Sequence, residues 1–198
     1  MSDTIRTFIA IELPDPIISF LKKIQEGLRP YGFKVRWVKP ENIHLTLKFL
    51  GDIHAGDVQK VGAAISESIR EYAAISLSAK GIGTFPGIKR PRVIWVGITG
   101  QQNELSGLQK RLDHDLSTIG FEKEKRRFKG HLTLGRAKGK IDARQMMDTI
   151  VACGGFTSDV FSVRNITFFQ SHLQKAGAVY TRIMGAPLVE HTKQGEDL

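Results

Sequence analysis

Apolar residues along the chain recur with two periods, two residues and about 3.6, and the switches between them mark out strands and helices. Residues 7–13, Thr-Phe-Ile-Ala-Ile-Glu-Leu, read as a buried strand. A helix follows, with Asp15 as N-cap and Pro16 at its first position. Ile17, Phe20, Leu21, Ile24 and Leu28 form its apolar stripe, and residues 30–32 end it. Residues 35–38 predict a short strand and 40–42 a turn. From Asn42 to Gly51 apolar and polar positions alternate, which predicts a half-buried strand closed by Gly51 and Asp52. A second helix spans 57–72, with Val58, Val61, Ile65 and Ile69 inward. Residues 75–79 alternate as a half-exposed strand, and the Gly- and Pro-rich stretch 81–91 reads as a loop. Residues 93–98 are a buried strand, and a third helix covers 103–119 on Leu105, Leu108, Leu112 and Leu116. Gly120 stops it. A second alternating strand begins at His131 and ends at Gly135 and Arg136. A fourth helix spans 142–153, with Met146, Met147, Ile150 and Val151 inward. Strands at 161–169 and 178–183 turn at 175–177, and 190–198 is a polar, flexible tail.

The two alternating strands share four residues, His44-Leu45-Thr46-Leu47 and His131-Leu132-Thr133-Leu134. With 6 His, 12 Thr and 16 Leu in 198 residues, one such tetrapeptide is expected roughly 0.002 times by chance. In a strand the leucines face one way, into a core, and the imidazole and hydroxyl face the other. The histidines lie 131 − 44 = 87 residues apart, and Trp95 follows Phe8 at the same offset. Each half reads strand, helix, motif strand, helix, strand. The pattern predicts an internal duplication within a single domain of residues 1–198, its halves packed about an approximate twofold with the polar motif faces across one cleft.

Composition adds a charge argument. The net charge is +9 and the pI about 9.8, with 14 − 9 = +5 in residues 1–99 and 15 − 11 = +4 in residues 100–198. Positive charge spread over both halves favours polyanionic partners, nucleic acid first. Cys153 is the sole cysteine, which excludes an internal disulfide and fits a small inward-facing residue in a reducing compartment. No signal-peptide pattern opens the chain and no apolar run is long enough to span a bilayer, so a cytoplasmic setting and no membrane partner are expected. Nothing in the pattern demands more than a monomer.

The motif residues suit displacement at phosphorus. One imidazole takes a proton from water while another gives one to the departing oxygen. Thr46 and Thr133 can donate to the non-bridging oxygens, and Arg136 can add a charge-assisted contact. No step needs a metal or cofactor, and no metal-binding or phosphate-loop motif is present. The residue types alone do not order acid and base.

These residues make the chain resemble the two-histidine (2H) phosphoesterase superfamily. Within it the likeness is to the RNA 2′,3′-cyclic phosphodiesterases, also called 2′-5′ RNA ligases. It rests on Phe8-Ile9-Ala10-Ile11, Trp37-Val38, both His-Leu-Thr-Leu motifs with their flanks to Gly51 and Arg136, and Gly177-Ala178-Val179-Tyr180. The resemblance implies a bilobal α+β, LigT-like fold, with two antiparallel sheets and outer helices around a central cleft. It implies hydrolysis of RNA 2′,3′-cyclic phosphate ends to 2′-phosphates, with His44 as proton donor, His131 as proton acceptor, Thr46 and Thr133 holding the phosphate and Arg136 assisting. The substrate is an RNA end or a small cyclic nucleotide. Alternatives are 2′-5′ ligation by the reverse reaction, or RNA binding without turnover.

Other residues are open to two readings. The run from Lys123 to Lys129, and Lys89, Arg90 and Arg92, either steer RNA or form solvated loops. Phe49 and Tyr180 can stack on a base; strand parity sends Phe49 to the core instead. Asp113-His114-Asp115 belongs to an exposed helix face, and His54, His114, His172 and His191 follow no repeat.

Overall fold

A computed structural model describes residues 3–174 and 177–189; most of the expected turn at 175–177, the tail at 190–198 and His191 lie outside them. Among these residues nine strands and four α-helices follow the order β1 (Thr4–Ile11), α1 (Asp15–Leu28), β2 (Val35–Trp37), β3 (Leu45–His54), α2 (Val58–Ile69), β4 (Ile75–Phe85), β5 (Val93–Gly100), α3 (Gln102–Thr118), β6 (His131–Ala137), α4 (Ala143–Cys153), β7 (Phe161–Val163), β8 (Asn165–Gln174) and β9 (Gly177–Pro187). No helix among the described residues is long and apolar enough to cross a membrane.

The strands run β7-β4-β5-β6-β3-β1-β8-β9, antiparallel throughout, with β2 on β6. The α+β class is the expected one, but in place of two separate sheets the strands form a single sheet with two four-stranded units, β3-β1-β8-β9 and β6-β5-β4-β7. The units join through a single pair, Leu45 with Leu132. Neither unit is one half of the chain. β4 leaves the first half to pair with β5, and β8 returns from the second half to pair with β1. The exchange interlocks the units.

Helix stripes build the core as the periodicity predicts. Ile17, Leu21 and Leu28 of α1, Val61, Ile65 and Ile69 of α2, and Leu105, Leu108, Leu112 and Leu116 of α3 are buried in one cluster. Some boundaries differ from the sequence reading. Asp15 is the first residue of α1, not its N-cap. Pro14 caps it, its carbonyl accepting from the amides of Ile17 and Ile18. β3 continues to His54 because Gly51, at φ 76°, carries the strand through a bulge. β4 absorbs much of the supposed loop. Gly83 lies opposite Trp95, where a Cβ would come within 2.2 Å of the indole. The glycine there admits a bulky neighbour rather than making a turn. On α4, Met147 and Val151 are exposed and Thr149 is buried instead. Its hydroxyl donates to the Gln145 carbonyl at 2.8 Å, which satisfies the polar group inside. The single strand expected over 161–169 divides at Arg164, because β7 pairs with β4 and β8 with β1, in different units.

Candidate active site

The Leu45–Leu132 pair sets the geometry of the cleft. Both leucines are fully buried, so the residues on either side of each face the other way. In antiparallel register about that pair, His44 falls beside Thr133 and Thr46 beside His131. The two histidines are then diagonal neighbours, a relation that spans roughly 7–8 Å. All four side chains line one cavity of about 210 Å³, together with Arg136, Phe8, Phe49 and Tyr180. The structure therefore brings together all five residues singled out from the sequence.

Arg136 reaches the cavity by way of a bulge. Trp95 pairs with Thr133 and Ile94 with Gly135, which leaves Leu134 as an extra residue. Side-chain parity reverses after it. The same bulge occurs in the first motif, where Ala10 pairs with Thr46 and Ile9 with Lys48, leaving Leu47 extra. Lys48 accordingly turns inward and Phe49 turns out, into the cavity, 65% exposed. The parity argument that sent Phe49 to the core fails at this bulge. Phe49 and Arg136 occupy corresponding places, 136 − 49 = 87 residues apart.

The carbonyl of each extra residue is met by a glutamine from the other half of the chain, that of Leu134 in addition to the Val38 amide at 2.9 Å. Gln25 of α1 donates to the carbonyls of Leu134 and Val38, both at 2.8 Å. Gln109 of α3 donates to the Leu47 carbonyl at 3.4 Å. Both glutamines are buried. Sequence reasoning missed them, although a polar residue inside an apolar helical stripe was the available signal.

The imidazoles are held alike. His44 Nδ1 lies 2.8 Å from the Asn42 carbonyl and His131 Nδ1 2.7 Å from the Lys129 carbonyl. A carbonyl can only accept, so Nδ1 carries the hydrogen in both rings and Nε2 is left for the cavity. Aromatic rings fix the planes. Phe8 stacks on His44 at 4.8 Å and Tyr180 meets it edge-on at 5.3 Å. Phe85 meets His131 edge-on at 4.8 Å, with Trp95 at 6.2 Å. Asn42 also donates to the Ala178 carbonyl at 2.9 Å, tying the Tyr180 hairpin to the first motif. Phe8, Phe85 and Trp95 were not picked out as site residues from the sequence.

Burial lowers His44 from an ordinary 6.5 to about 4; the Asn42 carbonyl opposes this, and His131 and Arg136 add to it. His131 is lowered too, chiefly by burial, against the Lys129 carbonyl and with help from Arg136 and Lys129. Both rings are thus held neutral at pH 7. Among the described residues the lining contains no carboxylate or thiol. Among the described residues no cluster of His, Cys, Asp or Glu could hold a metal ion. Asp113 instead binds Lys48 at 2.5 Å, and Asp115 binds Arg111 at 2.7 Å and Ser68 at 2.9 Å. His114 alone of that trio is exposed.

The basic run meets the cleft. Arg126, Arg127 and Lys129 line a wider groove of about 700 Å³ that opens beside His131, Thr133 and Arg136 and includes Phe85 and Arg92. Lys129 Nζ lies 4.4 Å from the centre of the Trp95 ring.

Known proteins resemble this chain in sequence and in fold. The family described as LigT like Phosphoesterase matches the chain twice, over residues 11–95 and 96–180. An RNA 2′,3′-cyclic phosphodiesterase of Methanothermobacter thermautotrophicus is 31% identical over 177 residues, 89% of this chain and 95% of that one. One of Methanocaldococcus jannaschii is 34% identical over 175 residues, 88% and 96% of the two chains. Among solved structures, Escherichia coli LigT complexed with 3′-AMP superimposes with a TM-score of 0.75 at 23% identity, covering 93% of this chain and 98% of that one.

Proposed function

This chain belongs to the LigT-like phosphoesterase family, and within it we propose that it opens RNA 2′,3′-cyclic phosphate ends to 2′-phosphates by acid–base catalysis between two histidines, without a metal. One observation carries the reading: both His-x-Thr faces converge on a single cavity around the Leu45–Leu132 pair. Relatives named as RNA 2′,3′-cyclic phosphodiesterases, matched over nearly their whole length, support the substrate class.

The chemistry follows from the lining. His131, neutral, accepts a proton from a water through Nε2 as the water oxygen bonds to phosphorus. The bond from phosphorus to the 3′-oxygen breaks on the opposite side, and His44 gives that oxygen its proton. Thr46 and Thr133 donate to the non-bridging oxygens, and Arg136 offsets their charge. The order of acid and base rests on the family pattern. His44 must be protonated to act, yet its depressed pKa leaves it neutral at pH 7 before substrate binds. An anionic phosphate entering beside it raises that pKa, because opposite charge favours the charged form. Substrate thus arms its own acid.

The test is an oligoribonucleotide with a 2′,3′-cyclic phosphate end, incubated with the protein in excess EDTA, with the product's regiochemistry determined. A 2′-phosphate formed at the rate seen without EDTA supports the reading. Turnover abolished by EDTA, a 3′-phosphate product, joined strands as the main product, or binding without turnover would each overturn it.

A further inference from the structure

A second basic hollow lies beyond the catalytic cavity. The loop before β5 and the loop after β6 flank about 630 Å³ lined by Lys89, Arg90, Arg92, Lys138 and Lys140 and by the buried Pro91 and Ile141. All five cations are exposed. None of them has an ion-pair partner among the described residues, and none of the described residues lining the hollow is acidic. The two loops are pinned to each other and to the residue that precedes β2: the amide of Ala137 donates to the Arg92 carbonyl at 2.9 Å and that of Lys138 to the Lys34 carbonyl at 2.7 Å. Five like charges are therefore gathered on a braced surface, an arrangement that repels itself unless an anion is present.

The hollow joins the cleft. Arg92 lines both it and the groove that holds His131, Thr133 and Arg136. From Thr133 through the end of β6 to Lys138 is five residues, or four strand steps once the extra Leu134 of the bulge is taken out, roughly 13 Å. Arg36 extends the path sideways, since it pairs with Arg136 across β2 and β6 and so shares its face. A nucleotide seated at the histidines does not span that distance. A strand continuing from its 5′ side does, and it carries a phosphate at every residue.

We propose that the substrate is an oligonucleotide whose backbone, upstream of the reacting end, runs past Arg92 into the hollow of Lys89, Arg90, Lys138 and Lys140. The proposal deepens the proposed function, since it takes the phosphate at the histidines as the starting point. Backbone contacts of this kind are indifferent to base sequence and sensitive to salt.

The test uses the variant K89Q/R90Q/K138Q/K140Q, which leaves Arg92 and the catalytic cavity intact. Two probes are compared: a labelled ten-nucleotide RNA ending in a 3′-phosphate, read by binding, and a nucleoside 2′,3′-cyclic phosphate, read by turnover. We expect the wild type to bind the oligonucleotide at least tenfold more tightly than the mononucleotide 3′-phosphate. The variant should lose at least tenfold for the oligonucleotide, and its slope of log affinity against log salt should become shallower by about 2 to 3. Turnover of the cyclic mononucleotide should be unchanged. Equal binding of both lengths by the wild type, or an unchanged affinity and salt slope in the variant, would overturn the track. If the four-site variant melts early, K138Q/K140Q is used, with about half the effect expected and none overturning the proposal. Binding is read without turnover, so failure of the catalytic reading leaves this result interpretable.

Discussion

At the scale of single residues, the cleft depends on rings that orient rings. Replacing His44 or His131 by Gln should lower kcat by about 10²–10⁴-fold, with a melting temperature no lower than that of the parent. Near-normal turnover in either variant would remove that histidine from the mechanism. The depressed pKa values make a sharper prediction. Both limbs of the kcat/KM profile, which report the empty enzyme, should lie below pH 6.5. The limbs for kcat should lie higher, because bound phosphate raises both groups. Coincident profiles would contradict this coupling. Phe49, exposed in the cavity, should act on binding alone. Phe49→Ala is expected to raise KM several-fold, within the roughly 1–3 kcal/mol of a base stack, and to leave stability within about 0.5 kcal/mol. A loss of stability without a change in KM would return Phe49 to a packing role.

At the scale of elements, the paired bulges are the devices that convert a repeated tetrapeptide into a site. Each turns a side chain, Phe49 or Arg136, out of the core, and each depends on a glutamine reaching across from the other half of the chain. Gln25→Leu removes the side-chain donor that the Val38 and Leu134 carbonyls share, leaving the Leu134 carbonyl only the Val38 amide. It should cost about 1–3 kcal/mol and lower kcat through a displaced Arg136, whereas Arg136→Gln should lower kcat without the stability loss. Denaturant titration beside steady-state kinetics separates the two. The Lys48–Asp113 pair is the other consequence of the first bulge. It joins β3 to the helix α3, with both side chains largely out of solvent. Asp113→Ala strands a buried ammonium and should cost about 3–5 kcal/mol. Lys48→Met combined with Asp113→Leu should recover most of it; no recovery would mean that the pair is not the source of the loss.

At the scale of the whole molecule, the histidines also tie stability to pH. His44 falls from 6.5 unfolded to about 4 folded, so the unfolded chain binds the extra proton between those values. The stabilisation is complete above pH 6.5 and is lost as pH falls toward 4. The urea midpoint should therefore drop between pH 7 and 5, and His44→Gln should flatten that drop. An equal drop in the variant would assign the effect to other groups. The sequence by itself determined the helices, whose apolar stripes at 3.6-residue spacing match the buried faces of α1, α2 and α3. It determined the two His-x-Thr strands as well, because period-two alternation separates imidazole from leucine within a few residues. Tertiary structure alone decided which side chains past the motif enter the cleft, since a bulge is a mismatch between neighbouring strands and leaves no mark on the strand that carries it. It alone decided the exchange of β4 and β8 between units and the meeting of Leu45 with Leu132. Those pairings join residues far apart in the chain, and local periodicity holds no information about which distant edge a strand will find.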